Sequence, residues 1–488
     1  MAGLLIAGTT SDAGKSVVVT GLCRAFARRG IRVAPYKAQN MSNNSAVCLD
    51  PTTGEPAEIG RAQWIQALAA GAVPEPAMNP VLLKPGSDRR SHVVLMGRPA
   101  GEVSSADWVD GRRALGEAAH AAYDDLAARY DLIVAEGAGS PAEINLRAGD
   151  YVNLGLARHA DLPTVVVGDI DRGGWFAASY GTWALLEPAD QRLVAGWIAN
   201  KFRGELALLQ PGLDELRRRT GRPTYGVLPW HPDLWLDSED ALDLVGRRAG
   251  VAGAPGATGA PGATGAPDDT VRRVAVVRLP RISNFTDLDA LGLEPGLDVV
   301  FASDPRRLAD ADLIVLPGTR ATIADLGWLR ARGLDAVIRQ HAGAGRPVLG
   351  ICGGCQMLGT TIGDPDGVEG AAGAVVDGLG LLDLVTTFTA AKRLALHEPA
   401  GYEIHHGRIE GAVVDGQVVA GPVTGTMIHG RLEDDSVRAD YLARTLGVTS
   451  TAGFPAARQG RLDLLADLVE EHLDVDALLE LAEQGVRR

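Results

Sequence analysis

The sequence predicts an α/β protein: two doubly wound, mainly parallel-sheet domains joined by a Gly/Ala/Pro-rich linker. Three observations carry this expectation. The 488 residues exceed what a single hydrophobic core serves, so more than one domain is required. Short apolar runs of strand length alternate with helix-period stretches in both halves, the pattern of parallel sheets with crossover helices. Between the halves, Gly253 to Pro267 repeats Gly-Ala-Pro-Gly-Ala-Thr and offers no side chain that could anchor in a core. Glycine falls at every third position there, but five such triplets in one chain are too few for a collagen helix. The expected division is residues 1–250, a flexible linker at 251–270, and residues 271–488.

Taken in order, Leu4 to Ala7 is uninterrupted, apolar and followed by glycine, a strand buried on both faces. Ser16 to Arg29 has helical periodicity, and Arg32 to Pro35 is the second strand. Ala114 to Arg129 is the next clear helix, followed by strands at Leu132 to Ala135, Thr164 to Val167 and Leu193 to Ile198. The second half repeats the style at Val274 to Val277, Leu313 to Leu316 and Pro347 to Ile351. In such sheets ligands bind beyond the carboxyl ends of strands, so functional residues are sought there.

Composition narrows the class. Lys+Arg at 47 against Asp+Glu at 61 gives a net charge of −14, which argues against a nucleic-acid partner. Four cysteines in so long a chain imply no disulfide framework and a reducing compartment. Met1 to Val19 has no basic opening and meets Asp12 and Lys15 before it could act as a leader. No run approaches the roughly 18 apolar residues of a membrane span. A cytoplasmic protein with small-molecule partners is expected.

The first strand runs into Gly8-Thr9-Thr10-Ser11-Asp12-Ala13-Gly14-Lys15-Ser16 and then a helix. Strand, Gly-rich turn, Gly-Lys-Ser and helix make a phosphate cradle. Backbone N–H groups meet the phosphates, Lys15 neutralises charge and the Ser16 hydroxyl ligates Mg²⁺. Five residues rather than the usual four separate the two glycines. Glu136, at the end of the strand Leu132 to Ala135, is the candidate second metal ligand, since a Mg²⁺ site wants a carboxylate. Asn200, after Leu193 to Ile198, sits where an amide could read an adenine ring. ATP with Mg²⁺ is the expected co-substrate, and no redox cofactor is expected.

The second candidate site is Gly350-Ile351-Cys352-Gly353-Gly354, a strand running into a turn whose small neighbours expose a nucleophile. The helix that follows favours negative charge on the sulfur. Cys352 and Cys355 also spell C-x-x-C, so redox chemistry and half a zinc site are rival readings. A zinc site would need a second pair, and only the distant Cys23 and Cys48 remain. Of ten histidines, His429 holds a strand-end position before a glycine and is the candidate base; His405 and His406 compete with it.

The five-residue loop, Lys37 after the second strand, and Glu136-Gly137-Ala138-Gly139 together resemble the dethiobiotin synthetase type of ATP-binding fold. That resemblance implies that Lys37 lies beside the transferred phosphate. The cysteine turn, Gly401-Tyr402-Glu403-Ile404-His405 and the late His429-Gly430 resemble the class I glutamine amidotransferases of the cobyrinic/cobyric acid synthase branch. There the cysteine matching Cys352 attacks glutamine's amide and the histidine matching His429 acts as acid and base. Ordinary class members carry a Glu two residues after the histidine. Here Arg431 stands there and Glu433 lies four residues on, which leaves the third member of the triad open. The family also places oxyanion-hole N–H groups at the turn matching Pro317 to Arg320.

Six further segments carry the resemblance to the cobyric acid synthase family: Lys37 to Ser45, Glu58 to Gln63, Met78 to Pro85, Gly139 to Leu146, Asp169 to Gly174 and Asn200 to Gly204. The resemblance implies glutamine- and ATP-dependent amidation of the b, d, e and g carboxylates of adenosylcobyrinic acid a,c-diamide, giving adenosylcobyric acid in cobalamin biosynthesis. Alternatives are the a,c-diamide synthase one stage earlier, and a partitioning-type ATPase or scaffold with an inactive amidotransferase tail. Because the corrinoid diamide and ATP are anions, Lys15, Lys37, Lys84 and Arg172 are expected to supply local positive charge against the acidic total.

Overall fold

The computed structural model describes residues 2–87, 90–104, 108–232, 234 and 271–486. The expected linker at 251–270 lies outside the described residues. The chain divides into two compact units, one formed by Met1–Ser42, Cys48–Leu236 and Gln459–Arg488, the other by Asn43–Val47 and Asp237–Arg458.

The first unit is built on a six-stranded sheet with every strand parallel. Its order is Thr224–Pro229, Val194–Phe202, Thr164–Asp169, Ala2–Gly8, Leu132–Glu136 and Val33–Tyr36. Leu4, Leu5 and Ile6 are wholly buried although they point to alternate faces, which is why this strand reads as a continuous apolar run. The expected strands are all present, and the edge strand Thr224–Pro229 joins them. Register sets Ile6 opposite Glu136 and Asp169 opposite Asn200, so the polar residues gather at one end of the sheet. A second sheet, which the sequence reading did not contain, comprises Gln39–Met41, Val81–Ser87, Arg90–Leu95 and Arg98–Ser104. Its strands are mixed in polarity, so they lack the apolar signal that marked the first sheet.

The C-terminal helices return to this unit. Leu462, Ala466, Val469 and Leu473 recur at spacings of four and three, form one helical stripe, and share a core with Leu22, Phe26 and Ile198. Arg24 and Arg28 ion-pair with Asp463. The compact unit expected over 271–488 therefore ends at Arg458, because that apolar stripe needs an apolar partner and finds it on the first sheet.

The second unit has the strand order Leu297–Ala302, Arg272–Val277, Leu313–Leu316, Val348–Ile351, Val423–Thr426 and Gln417–Ala420. All neighbours are parallel except the last pair. A four-stranded mixed sheet accompanies it: Ala374–Asp377, Thr361–Asp364, Leu384–Leu396 and Tyr402–Gly411. Two parallel-sheet units bear out the α/β expectation. Among the described residues no helix is long and apolar enough to cross a membrane.

Candidate functional site

In the first unit, Gly8 to Ser16 wraps the carboxyl end of Ala2–Gly8, and the helix Lys15–Arg28 starts at its far side. The Thr9 N–H donates to Val167 O at 2.9 Å and ties the loop to the neighbouring strand. Gly14 has φ +94°, and a Cβ there would stand 2.0 Å from Asn200 Nδ2, so glycine is required twice over. Asn200 Nδ2 donates to Ala13 O at 3.0 Å, while its Oδ1 accepts the Lys201 N–H at 2.9 Å. The amide expected to face an adenine ring is engaged in bracing the phosphate loop. Lys15 is buried and folds back over the loop, donating to Thr10 O at 2.9 Å and Ser11 O at 3.1 Å.

Glu136 organises the site. Its Oε1 accepts from the Ser16 hydroxyl at 2.9 Å and from Lys37 Nζ at 2.8 Å, and its Oε2 accepts from Gln66 Nε2 at 2.6 Å. Glu136 is fully buried. Burial opposes its charge, but Lys37, then Lys15 and Gln66, outweigh that cost and hold the carboxyl below the usual carboxylate range. Asp12, at the loop's edge, accepts from the Thr10 hydroxyl and pairs with Arg172 at 2.8 Å. The Thr10 bond, Arg172 and Lys201 together outweigh partial burial and keep Asp12 below its ordinary value.

Ser16 and Glu136 present a hydroxyl and a carboxylate oxygen 2.9 Å apart. Those are the hard donors Mg²⁺ takes, with phosphate and water oxygens completing its shell. Among the described residues there is no cluster of three or more His, Cys, Asp or Glu that could form an all-protein cage. Gln66, on the helix Arg61–Ala69, was missed in the sequence; nothing in its spacing links it to a carboxylate 70 residues away. Lys84 is also buried, but it is paired with Glu58. Arg172 is largely exposed.

In the second unit, Cys352 ends the strand Val348–Ile351 with φ +52° and ψ −110°, a strained conformation for a residue with a side chain. Its N–H donates to Thr426 O at 2.7 Å. This is the elbow that the glycine-flanked cysteine predicts. Cys355 faces the core, is fully buried, and burial pushes its thiol far above the ordinary range. Both cysteines are free, and Cys355 is placed for packing.

His429 lies beyond Val423–Thr426 and is buried, and Cys352 is one of the groups whose charge acts on it. Its Nδ1 meets Asp287 Oδ2 at 2.7 Å, and Asp287 Oδ1 accepts the Gly430 N–H at 2.8 Å. Burial alone would lower the proton affinity of the ring. Asp287 first, and Cys352 after it, outweigh burial and push His429 up to about 10. The Tyr402 ring stacks on the imidazole at 5.5 Å.

Asp287 stands in the 3-10 turn Phe285–Leu288, directly after Asn284 at φ +49°. Asn284 N–H donates to Asn44 Oδ1 at 2.7 Å, and its amide exchanges bonds of 3.1 Å with the backbone of Ser45. The Tyr402 hydroxyl donates to the same Ser45 carbonyl at 2.9 Å. The Asn44-Ser45 pair thus fixes both the turn carrying Asp287 and the ring covering His429. Glu433 pairs instead with Arg458 at 2.8 Å. His405 and His406 bond through Nδ1 to the carbonyls of Gly407 and Thr389.

Comparison with known proteins agrees with both halves. The sequence profile described as CobQ/CobB/MinD/ParA nucleotide binding domain matches residues 4–244, and that of the CobB/CobQ-like glutamine amidotransferase domain matches residues 273–437. Cobyric acid synthase of Mycolicibacterium vanbaalenii is 69% identical over 99% of this chain and 97% of its own length. Those of Mycolicibacterium gilvum and Mycobacterium ulcerans are 68% and 67% identical, with the same coverage. With a nucleotide-binding half, an amidotransferase half and this level of identity along nearly its whole length, the chain belongs to the cobyric acid synthase family.

Proposed function

We propose that the chain is an ATP-dependent carbon–nitrogen ligase using glutamine as nitrogen donor. It converts the b, d, e and g carboxylates of adenosylcobyrinic acid a,c-diamide into amides, giving adenosylcobyric acid. The observation that carries this reading is the Asp287–His429–Cys352 line on a strained elbow, in a chain that also holds a phosphate cradle.

Asp287 holds the imidazole by Nδ1, and the protonated ring in turn favours the Cys352 thiolate. The thiolate attacks the glutamine amide carbon, and His429 gives its proton to the departing ammonia. Water, deprotonated by the now neutral His429, then releases glutamate from the thioester. The turn Pro317 to Arg320 supplies the backbone that faces the developing oxyanion.

In the first unit the substrate carboxylate attacks the γ-phosphorus of ATP and ADP leaves. The ammonium groups of Lys15 and Lys37 offset charge on the transferred group, within a cradle formed by Gly8, Thr9, Asp12 and Gly14. Mg²⁺ held by Ser16 and Glu136 would shield the phosphate charge. Ammonia then attacks the acyl phosphate and inorganic phosphate leaves. The cytoplasm supplies ATP and glutamine for this chemistry.

The test is mass spectrometry of the corrinoid diamide after incubation with ATP, Mg²⁺, glutamine and the protein. Four successive OH-to-NH₂ shifts are expected; an unchanged mass would overturn the reading.

A further inference from the structure

The segment Asn43–Val47 comes from the N-terminal half of the sequence but belongs to the second compact unit. Two of its residues, Asn44 and Ser45, are buried and direct their polar groups at the turn that carries Asp287. Asn44 Oδ1 accepts the Asn284 N–H at 2.7 Å. The Ser45 N–H donates to Asn284 Oδ1 at 3.1 Å, and the Ser45 carbonyl accepts from Asn284 Nδ2 at 3.1 Å. Asn284 sits in the left-handed region at φ +49°, a conformation that surrounding contacts must hold. Its own carbonyl accepts the Asp287 N–H at 3.0 Å, so whatever holds Asn284 sets where the Asp287 side chain starts.

The face of the histidine ring is tied to the same place. Tyr402 and His429 exchange backbone N–H···O bonds of 2.9 and 2.8 Å, and their rings stack at 5.5 Å. The Tyr402 hydroxyl donates to Ser45 O at 2.9 Å and accepts from Asn284 Nδ2 at 3.2 Å. Asn44, Ser45, Asn284 and Tyr402 are all buried, and buried polar groups that satisfy one another hold a single geometry. Asp287 grips Nδ1 and Tyr402 covers the ring, and both trace back to two consecutive residues. Loosening that anchor by about 1 Å would cost acid–base turnover far more than substrate binding.

We propose that Asn44 and Ser45 are positioning residues of the glutaminase, acting through Asp287 and Tyr402 on His429. The sequence from 271 to 488 then lacks part of its own glutaminase, and the N-terminal half supplies it. The inference rests on the glutaminase reading of Cys352. The competing role for Asn44 and Ser45 is only to stabilise the second unit, and the two roles make different predictions.

The test measures glutamate release from glutamine, ammonia-supported amidation and melting temperature for the intact protein, Asn44→Ala and Tyr402→Phe. Asn44→Ala is expected to lower kcat for glutamine about tenfold to one hundredfold, with KM little changed and ammonia use preserved. Tyr402→Phe keeps the stacked ring but loses the hydroxyl, and a fall in kcat of about twofold to tenfold is expected. In an Asp287→Asn background, Asn44→Ala is expected to cost a smaller factor than it costs alone, because both changes break one link. A purely stabilising role would lower the melting temperature and leave kcat of the folded variants unchanged. That result, equal losses with glutamine and ammonia, or an undiminished factor beside Asp287→Asn overturns the inference and leaves the glutaminase reading standing. An intact protein that releases no glutamate overturns both.

Discussion

Asp287 Oδ2 lies 2.7 Å from Nδ1 of His429, although 142 positions separate the two residues. The second Asp287 oxygen accepts the N–H of Gly430, so the carboxylate grips the histidine and the residue after it. This fixes the plane of the ring, and Cys352 adds to Asp287 in raising its proton affinity. In the glutaminase chemistry proposed above, Asp287 takes the triad position that neither Arg431 nor Glu433 fills.

Asp287→Asn is expected to lower glutamine-dependent activity roughly hundredfold to ten-thousandfold, because an amide can donate to Nδ1 and favour the wrong tautomer. Activity with added ammonia is expected to survive. Parallel assays with the two nitrogen sources check this; equal losses would mean that Asp287 supports more than the histidine.

The same contact sets a pH dependence of stability. Folding raises His429 from its ordinary 6.5 to about 10, so the protonated ring stabilises the native state. That contribution is fully present below pH 6.5 and fades as pH rises through about 10. The melting-temperature gap between the intact protein and Asp287→Asn is expected to be widest near the acid end of this window and to shrink toward the alkaline end. A gap that widens with pH would reverse the sign.

Removing Glu136 should expose the cost of a stranded charge. In Glu136→Gln, the buried Lys37 loses its carboxylate, and a destabilisation of about 3–5 kcal/mol is expected. Lys37→Met in that background is expected to restore much of the stability but no amidation. Denaturant melts and the ammonia-supported assay separate the two effects.

The two chemistries should come apart by mutation. Cys352→Ala is expected to abolish glutamine use and keep amidation with ammonia, while Lys15→Ala keeps glutaminase and loses ATP-dependent amidation. Loss of both activities in Cys352→Ala would contradict the division of labour.

Gly318 borders His429 closely. A Cβ there would stand 2.9 Å from His429 Cε1 and 3.0 Å from Ser283 O. Gly318→Ala is expected to lower kcat for glutamine at least tenfold by displacing the ring, with ammonia use preserved, since a misplaced acid–base group loses much of its effect.

What the sequence determined by itself was local. A phosphate loop is a strand, a turn and a helix in succession, and a nucleophile elbow is a strand end flanked by glycines. The residues of each, Gly8 to Ser16 in the one and Gly350 to Gly354 in the other, follow one another in the chain. Apolar runs likewise announced five strands of the first main sheet and three of the second, while Thr224–Pro229, Leu297–Ala302, Val423–Thr426 and Gln417–Ala420 went unmarked. Tertiary structure alone decided the partners. Asp287 sits in a polar turn that nothing nearby marks as catalytic, and Gln66 reaches Glu136 from a separate helix. The stripe of Leu462, Ala466, Val469 and Leu473 declared a helix without declaring which sheet it would cover. The reason is physical: periodicity and turn chemistry fix which face a segment buries, while its contact partner depends on which distant surface is left to bury it.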